Sequence, residues 1–416
     1  MMRSLFAGVS GLRNHQTRMD VIGNNIANVN TVGFKAGRVN FQDVLSQTLQ
    51  GAAGASGNRG GTNPMQVGLG MGLASIDTIF TDGSFQPTGK QTDLSIKGQG
   101  FFILSDGANQ VYTRAGSFDF DTAGNFLVPG TGYKVMGWMA NNGTINTSGT
   151  ITPLQVPVGT SMPAKATDNI DFANNLSAEA LTTDSFPASI TVYDGQGTAH
   201  KVSGTFNKTA TPNQWTFTLP ATGVTGATVP ATTVTLNFDP ATGAFINPSA
   251  PALYAPPTVL ITPTTGANPF TVKLDFSDLT QNGSATTVTA LNQNGYTAGT
   301  LESTSIDPSG VIYGRFTNGQ SQQMAQLALS TFNNPAGLTK VGDSLYIKSN
   351  NSGEAQIGTT GTGGRGTFNP GTLEMANVDL AQEFSNMIIT QRGFQANSKI
   401  ISVTDEMLQE LANLKR

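Results

Sequence analysis

Residues able to do chemistry are scattered along this chain, and several short stretches imitate loops that bind phosphates, dinucleotides or metals. "DGSFQPTGKQT" ends in Gly89-Lys90 as a phosphate loop would, but Gly83 stands one residue too far away and Gln91 replaces the hydroxyl that would hold magnesium. "GLGMGLAS" places glycines at 68, 70 and 72, where a dinucleotide fingerprint needs 68, 70 and 73, and no acidic residue follows at the required distance. Asp119, Asp121 and Gly124 match positions 1, 3 and 6 of a calcium loop, yet Ala123 and Gly130 occupy positions 5 and 12. The two histidines, His15 and His200, are too far apart in sequence to form a local metal cluster or catalytic triad. Two carboxylates can still meet in space to cleave a glycosidic bond, since no motif fixes their spacing. The expectation is no catalytic residue, no metal and no cofactor.

What the chain must position is therefore read from its elements. With 416 residues it exceeds a single core, and its 12% charged residues and net charge of −4 leave no basic footprint for nucleic acid and no charge-driven disorder. The 49 glycines, with Thr, Asn and Ala crowding the middle, suit short strands joined by tight turns. With 0 cysteines, the fold uses no disulfide or thiolate site. "MMRSLFAGVSGLRNH" lacks the cleavage pattern of a secretory signal, and no apolar run is long enough to span a bilayer.

The two ends have a helical period. Leu5, Leu12, Met19 and Ile26 recur every seven residues, as do Leu380, Met387, Phe394, Ile401 and Leu408, with Asn377 or Asp379 placed to cap the second helix. Between them the period falls to two: "TDLSIKGQGFFIL", "SITVYDGQGTAHKV" and "PFTVKLDFSD" read as strands and hairpins, with Phe270, Val272, Leu274 and Phe276 on one face. Four main stripe residues, at ~1.5 to 3 kcal/mol each, do not offset the ordering of some thirty helical residues at ~1.5 kcal/mol apiece. The ends thus need partners, either each other or other copies. Within "NNIANVNTVGFK" the asparagines and the glycine look built to stop the first helix and turn the chain.

That stretch resembles the signature of the bacterial flagellar rod and hook proteins, A-N-x-x-T-x-G-F-K, with Ala27, Asn28, Thr31, Gly33, Phe34 and Lys35 filling the fixed places. "DLSIKGQGFFIL", "YTRAGSFDFDTAGNFLV" and the C-terminal "LEMANVDLAQEFSNMIITQRGFQANSKIISVTDEMLQELANL" are similar to the same family, whereas 146–293 matches no family motif. The resemblance implies a mainly β, nested multidomain axial protein with helical coiled-coil ends and two β-rich domains. The expected parts are 1–35 with 370–416 lining a tube, 36–75 with 352–369 connecting, 76–145 with 294–351 as an inner β-rich domain, and 146–293 as an outer one. Rod proteins of the family are expected to be shorter, so the inserted β-domain points to the hook branch. A distal rod-type subunit and a secreted β-rich adhesin or surface-layer module are the alternatives. The resemblance further implies a flexible homo-polymer acting as a universal joint, exported by the flagellar type III apparatus to the extracellular hook. Its implied partners are the hook cap protein, the distal rod protein and the hook-filament junction protein. On this reading Phe34 anchors, Lys35 lies at the surface, and both ends are mobile in the monomer.

Overall fold

The computed structural model describes residues 2–55, 57, 60–157, 159–246 and 255–414. The chain divides into two compact units, one of residues 1–158, 305–313 and 323–416, the other of 159–304 and 314–322.

The first unit carries both terminal helices, α1 (Met2–Ala27) and α2 (Leu380–Asn413). Asp379 caps α2, its carboxylate accepting from the N–H groups of Ala381 (2.9 Å) and Gln382 (3.2 Å). The two ends are not free in the monomer, as the unpartnered reading expected; they pack against each other antiparallel. Gly8 and Gly11 of α1 lie against Ile401 and Asn397, and Gly393 of α2 lies under the His15 ring. A Cβ at Gly11 would stand 2.6 Å from Asn397 Nδ2, and one at Gly393 would stand 2.8 Å from His15. Small residues thus allow an approach that a leucine stripe would prevent. Thr390 and Thr404, also in this seam, are buried and donate to Asn386 O and Ile400 O one turn back, which satisfies their hydroxyls within α2.

After α1 the chain forms β1 (Gly37–Asp43), β2 (Ser46–Gln50), β3 (Met65–Gly68) and β4 (Met71–Thr78). β1 pairs antiparallel with β4, and β2 with β3, so the segment expected to be a plain connector is a pair of nested ribbons. The main sheet of this unit is built on Phe101–Ser105, which pairs with Gln110–Thr113, Lys134–Asn141 and Leu329–Thr331. Phe101, Ile103, Tyr112 and Trp138 of these strands meet Phe332 and Tyr346 in one aromatic-rich core. The Gly-rich stretch 352–366 contributes a strand, Gln356–Gly358, on Leu329–Thr331.

The second unit is a sandwich. Among its described residues, one five-stranded sheet centres on Phe270–Asn282, paired in parallel with Asn169–Ser177, and another runs from Ser185–Tyr193 through Ala199–Lys208 and Gln214–Leu219. Both contribute to one core in which Phe172, Phe206, Trp215, Phe217 and Phe276 meet. The expected alternation holds: Val272, Leu274 and Phe276 are at most 1% exposed, and Phe270 packs at the margin.

Candidate functional site

The family-like stretches meet at one place, where α1 ends. Asn28 closes the helix, its Nδ2 donating to Asn24 O at 2.9 Å while its Oδ1 accepts from the Thr31 hydroxyl at 3.1 Å. Asn25, buried to 1%, then clasps the outgoing chain: its amide donates to Gly37 O and accepts from Gly37 N–H, both at 2.9 Å. Asn377, read from sequence as a possible cap, instead accepts from Ala36 N–H at 2.8 Å and donates to Ile79 O at 2.8 Å. Gly33 has φ +67°, donates its N–H to Glu374 O at 2.8 Å, and lies so close to the chain at 114–115 that a Cβ would stand 2.4 Å from Ala115 N.

Lys35 corrects the sequence reading most sharply. It is fully buried, with Nζ 2.5 Å from Glu374 Oε1 and donating to Thr81 O at 2.6 Å. Glu374, also fully buried, accepts from Gly83 N–H at 3.0 Å and faces Arg114 across 3.4 Å. Arg114, 2% exposed, reaches Asp82 at 3.5 Å, donates to Gly98 O at 2.8 Å, and lies 5.5 Å from the Phe101 ring centre. Two buried cations, Lys35 and Arg114, thus face the buried Glu374 and the partly exposed Asp82, from four chain segments. Burial pulls the Lys35 ammonium below its usual range, while Glu374 opposes that pull. Burial likewise pushes the Tyr346 phenol up. The cluster ties the end of α1 and the approach to α2 to the same β-core. A lysine following a helix stop carries no local sign of this, because its partner lies 339 residues away. Asn25, Arg114 and Glu374 went unnamed in the sequence reading, although the family-like stretches contain all three.

The other residues of the signature sit around this junction. Ala27 and Thr31 are exposed, and Phe34 is half-buried with the Lys340 ammonium 5.0 Å from its ring centre. Of the helical stripes, Leu5, Leu12, Met19 and Ile26 are half-buried beside the seam, Met387, Ile401 and Leu408 are half-buried in it, and Leu380 and Phe394 face away. The mobile ends were expected to bury these stripes only between copies. Here glycine, threonine and asparagine make the intramolecular seam, and α2 keeps a larger apolar face uncovered. Phe384, Ile388, Ile389, Ile400, Met407 and Leu411 are between 44% and 59% exposed along α2, Ile400 at the edge of the seam beside Gly8.

The imitations of active-site loops have structural partners. Lys90 pairs with Asp119 at 2.9 Å. Asp121 accepts from the N–H groups of Ala123 and Asn125 and from the Asn125 amide, which holds its carboxyl below the usual range. Gly70, at φ +118°, seats the root of β4 on Ala7 and Ser10 of α1. His200 bridges Asp194 Oδ2 (3.1 Å) and Thr225 O (2.9 Å) inside the sandwich.

Comparison with known proteins places these features in context. Four family models match: Flagella basal body rod protein at 5–35, Flagellar hook protein FlgE/F/G D1 domain at 95–171, Flagellar basal body protein FlaE D2 domain at 162–296, and Flagellar basal body rod FlgEFG protein C-terminal at 369–414. The third covers 162–296, most of the stretch 146–293 in which no family motif was legible. The chain is 44% identical to Flagellar hook protein FlgE of Borreliella burgdorferi and 43% identical to that of Treponema pallidum, each over 100% of both chains. It is 33% identical to Flagellar basal-body rod protein FlgG of Bacillus subtilis, again over 100% of both. A rod-named relative of full length removes chain length as a ground for separating hook from rod, and the higher identities favour hook.

Proposed function

This chain belongs to the flagellar hook protein family and is a structural subunit of the hook, and we propose that it polymerises through the uncovered face of α2 into a flexible tube that transmits torque. The observation that carries the proposal is that face. Its apolar side chains are left about half exposed within the chain, while the charge junction fixes both helices to a β-core. Covering the exposed half of six such side chains contributes on the order of 4.5 to 9 kcal/mol, taking ~1.5 to 3 for full burial of each. That is comparable to the ~4 to 15 kcal/mol lost in translational and rotational freedom on association. Assembly is then favoured once several copies contribute, which suits a closed tube more than a dimer.

The joint works mechanically. The apolar contacts hold copies together, the buried Lys35–Glu374–Arg114 cluster passes load from the helices into the β-core of the same copy, and the helical seam between Gly8, Gly11 and Gly393 adjusts by small displacements. The family role supports a mechanical subunit in place of an enzyme. The remaining assignments rest on the family resemblance: export by the flagellar type III apparatus, location in the extracellular hook, and contacts with the hook cap, distal rod and hook-filament junction proteins. Among the described residues no helix is long and apolar enough to cross a membrane.

The test is assembly of the purified chain against a variant carrying Ile388→Asp and Ile389→Asp. Both positions are 59% exposed in the monomer, so the charges remain hydrated there and unfolding of the unit by heat should be unchanged. In a polymer each buried, unpaired carboxylate is costly, and sedimentation should show the variant remaining monomeric where the unmodified chain pellets as tubes. Equal pelleting of both proteins would overturn the reading.

A further inference from the structure

The charge junction leaves Arg114 incompletely matched. Of its four charged groups, the side chains of Lys35, Arg114 and Glu374 are at most 2% exposed, whereas that of Asp82 is 35% exposed and shares its charge with water. The buried part of the junction thus holds two cations against one anion, and an unmatched charge away from water is costly. The terminal nitrogens of Arg114 are engaged: Nη2 donates to Gly98 O at 2.8 Å, and Nη1 lies 3.4 Å from Ile96 O and Glu374 Oε2 and 3.5 Å from Asp82 Oδ1. Its Nε is buried and has no hydrogen-bond partner among the described residues. A guanidinium donates and never accepts, so Nε is satisfied only by a group that brings a lone pair.

Arg114 lines a cavity of about 70 Å³ in the same unit. Since Nη1 and Nη2 are used elsewhere, Nε is the donor it has to offer there. Phe80, Phe101 and Phe332 form apolar walls, Thr331 adds a hydroxyl, and Gln99, on the surface, adds an amide at the mouth. No carboxylate lines the space among the described residues. Set against the ~30 Å³ that a water takes in the liquid, the volume suits one or two small species and leaves little room for a phosphate or sulfate with its shell of donors. The aromatic walls disfavour a strongly hydrated or divalent ion, and the guanidinium disfavours a cation. Water would satisfy Nε and leave the excess positive charge, whereas a monovalent anion answers both.

We infer that this cavity binds a small, weakly hydrated monovalent anion, of which chloride is the type, held by Arg114 Nε with the Thr331 hydroxyl and the Gln99 amide. The bound anion completes the junction that ties the end of α1 and the approach to α2 to the β-core. The stability of that anchorage then depends on which anion is present as well as on ionic strength. The inference concerns the single chain and stands independently of how copies meet.

The test is thermal unfolding of the full chain in sodium chloride and in sodium sulfate at matched ionic strength, reading the helix-bearing unit against the sandwich unit in the same sample. Sulfate strengthens burial in proteins generally by exclusion from their surfaces, so the sandwich reports that general effect. A site with a dissociation constant of ~50 mM is about tenfold saturated at 0.5 M chloride, which raises the melting temperature of the helix-bearing unit, relative to the sandwich, by about 3 °C. Thr331→Val keeps the shape, removes a donor, and should at least halve that relative gain. Arg114→Lys keeps the charge, has no counterpart of Nε, and should abolish it; if this variant does not fold, Thr331→Val decides. No relative gain in the unmodified chain, or a gain that Thr331→Val retains in full, would overturn the inference and assign the cavity to water.

Discussion

Glu374→Ala is expected to destabilise the helix-bearing unit by roughly 3 to 5 kcal/mol, the usual cost of removing one partner from a buried ion pair. The loss leaves the buried Lys35 ammonium with only Thr81 O among its close partners and leaves Arg114 with Asp82 as its remaining anion, at 3.5 Å. For a unit of this size the change lowers its melting temperature by on the order of 10 °C, while the sandwich unit, with its own core, should unfold as before. Glu374→Gln should lie close to the alanine variant, because it keeps the shape and loses the charge. Replacing both partners, Lys35→Met with Glu374→Leu, should cost less than the sum of the single changes by at least ~1 kcal/mol, since an apolar pair needs no counter-charge. Calorimetry of the four proteins checks this. Single variants within ~0.5 kcal/mol of the unmodified protein, the range of an ordinary surface change, would show that the cluster bears no load.

Gly33 gives the second large effect, and the structure changes its expected pattern. Positive φ alone would rank the substitutions, with Asn mildest, Ala next and Val worst, because Asn visits the left-handed region more readily. But a Cβ at Gly33 would also stand 2.4 Å from Ala115 N and 2.8 Å from Arg114 C, both backbone atoms that cannot rotate aside. Every substitution meets that wall, so Ala, Asn and Val should all lose roughly 2 to 5 kcal/mol, combining ~1 to 2 for conformation with ~1 to 3 for overpacking. The effect belongs to the monomer as well as the tube, since Gly33 N–H bonds to Glu374 O within one chain. Urea unfolding of the three monomers measures it, and an Asn variant as stable as the parent would show that conformation, not contact, sets the requirement.

The β-architecture was legible because strand alternation is local: Val272, Leu274 and Phe276 announce their buried face without reference to any other segment. The helices were legible as helices, but not the face each turns to the other. A search for apolar residues at seven-residue spacing finds Ile401, which meets Gly8 in the seam, but not Gly8, Gly11 and His15 of α1 or Thr390, Gly393, Asn397 and Thr404 of α2, types that hydrophobicity discounts. The apolar residues read as a seam were partly those left over for contact between copies. Lys35 was misplaced for a different reason. Charge after a helix stop reads as solvent-exposed unless its partner is visible, and Glu374 becomes visible only when the three family-like stretches are brought together by the fold. The β2–β3 ribbon was hidden by the Gly- and Ala-rich tip between its strands, which reads as a connector.

The claim on which all this depends is that copies meet through the uncovered face of α2. Helical reconstruction by electron cryomicroscopy of tubes grown from the purified chain tests it most directly. The account predicts density in which Phe384, Ile388, Ile389 and Met407 lie against helices of neighbouring copies around a central channel, with α1 and α2 of each copy still paired at Gly8, Gly11 and Gly393. Tubes in which that face meets solvent would contradict it.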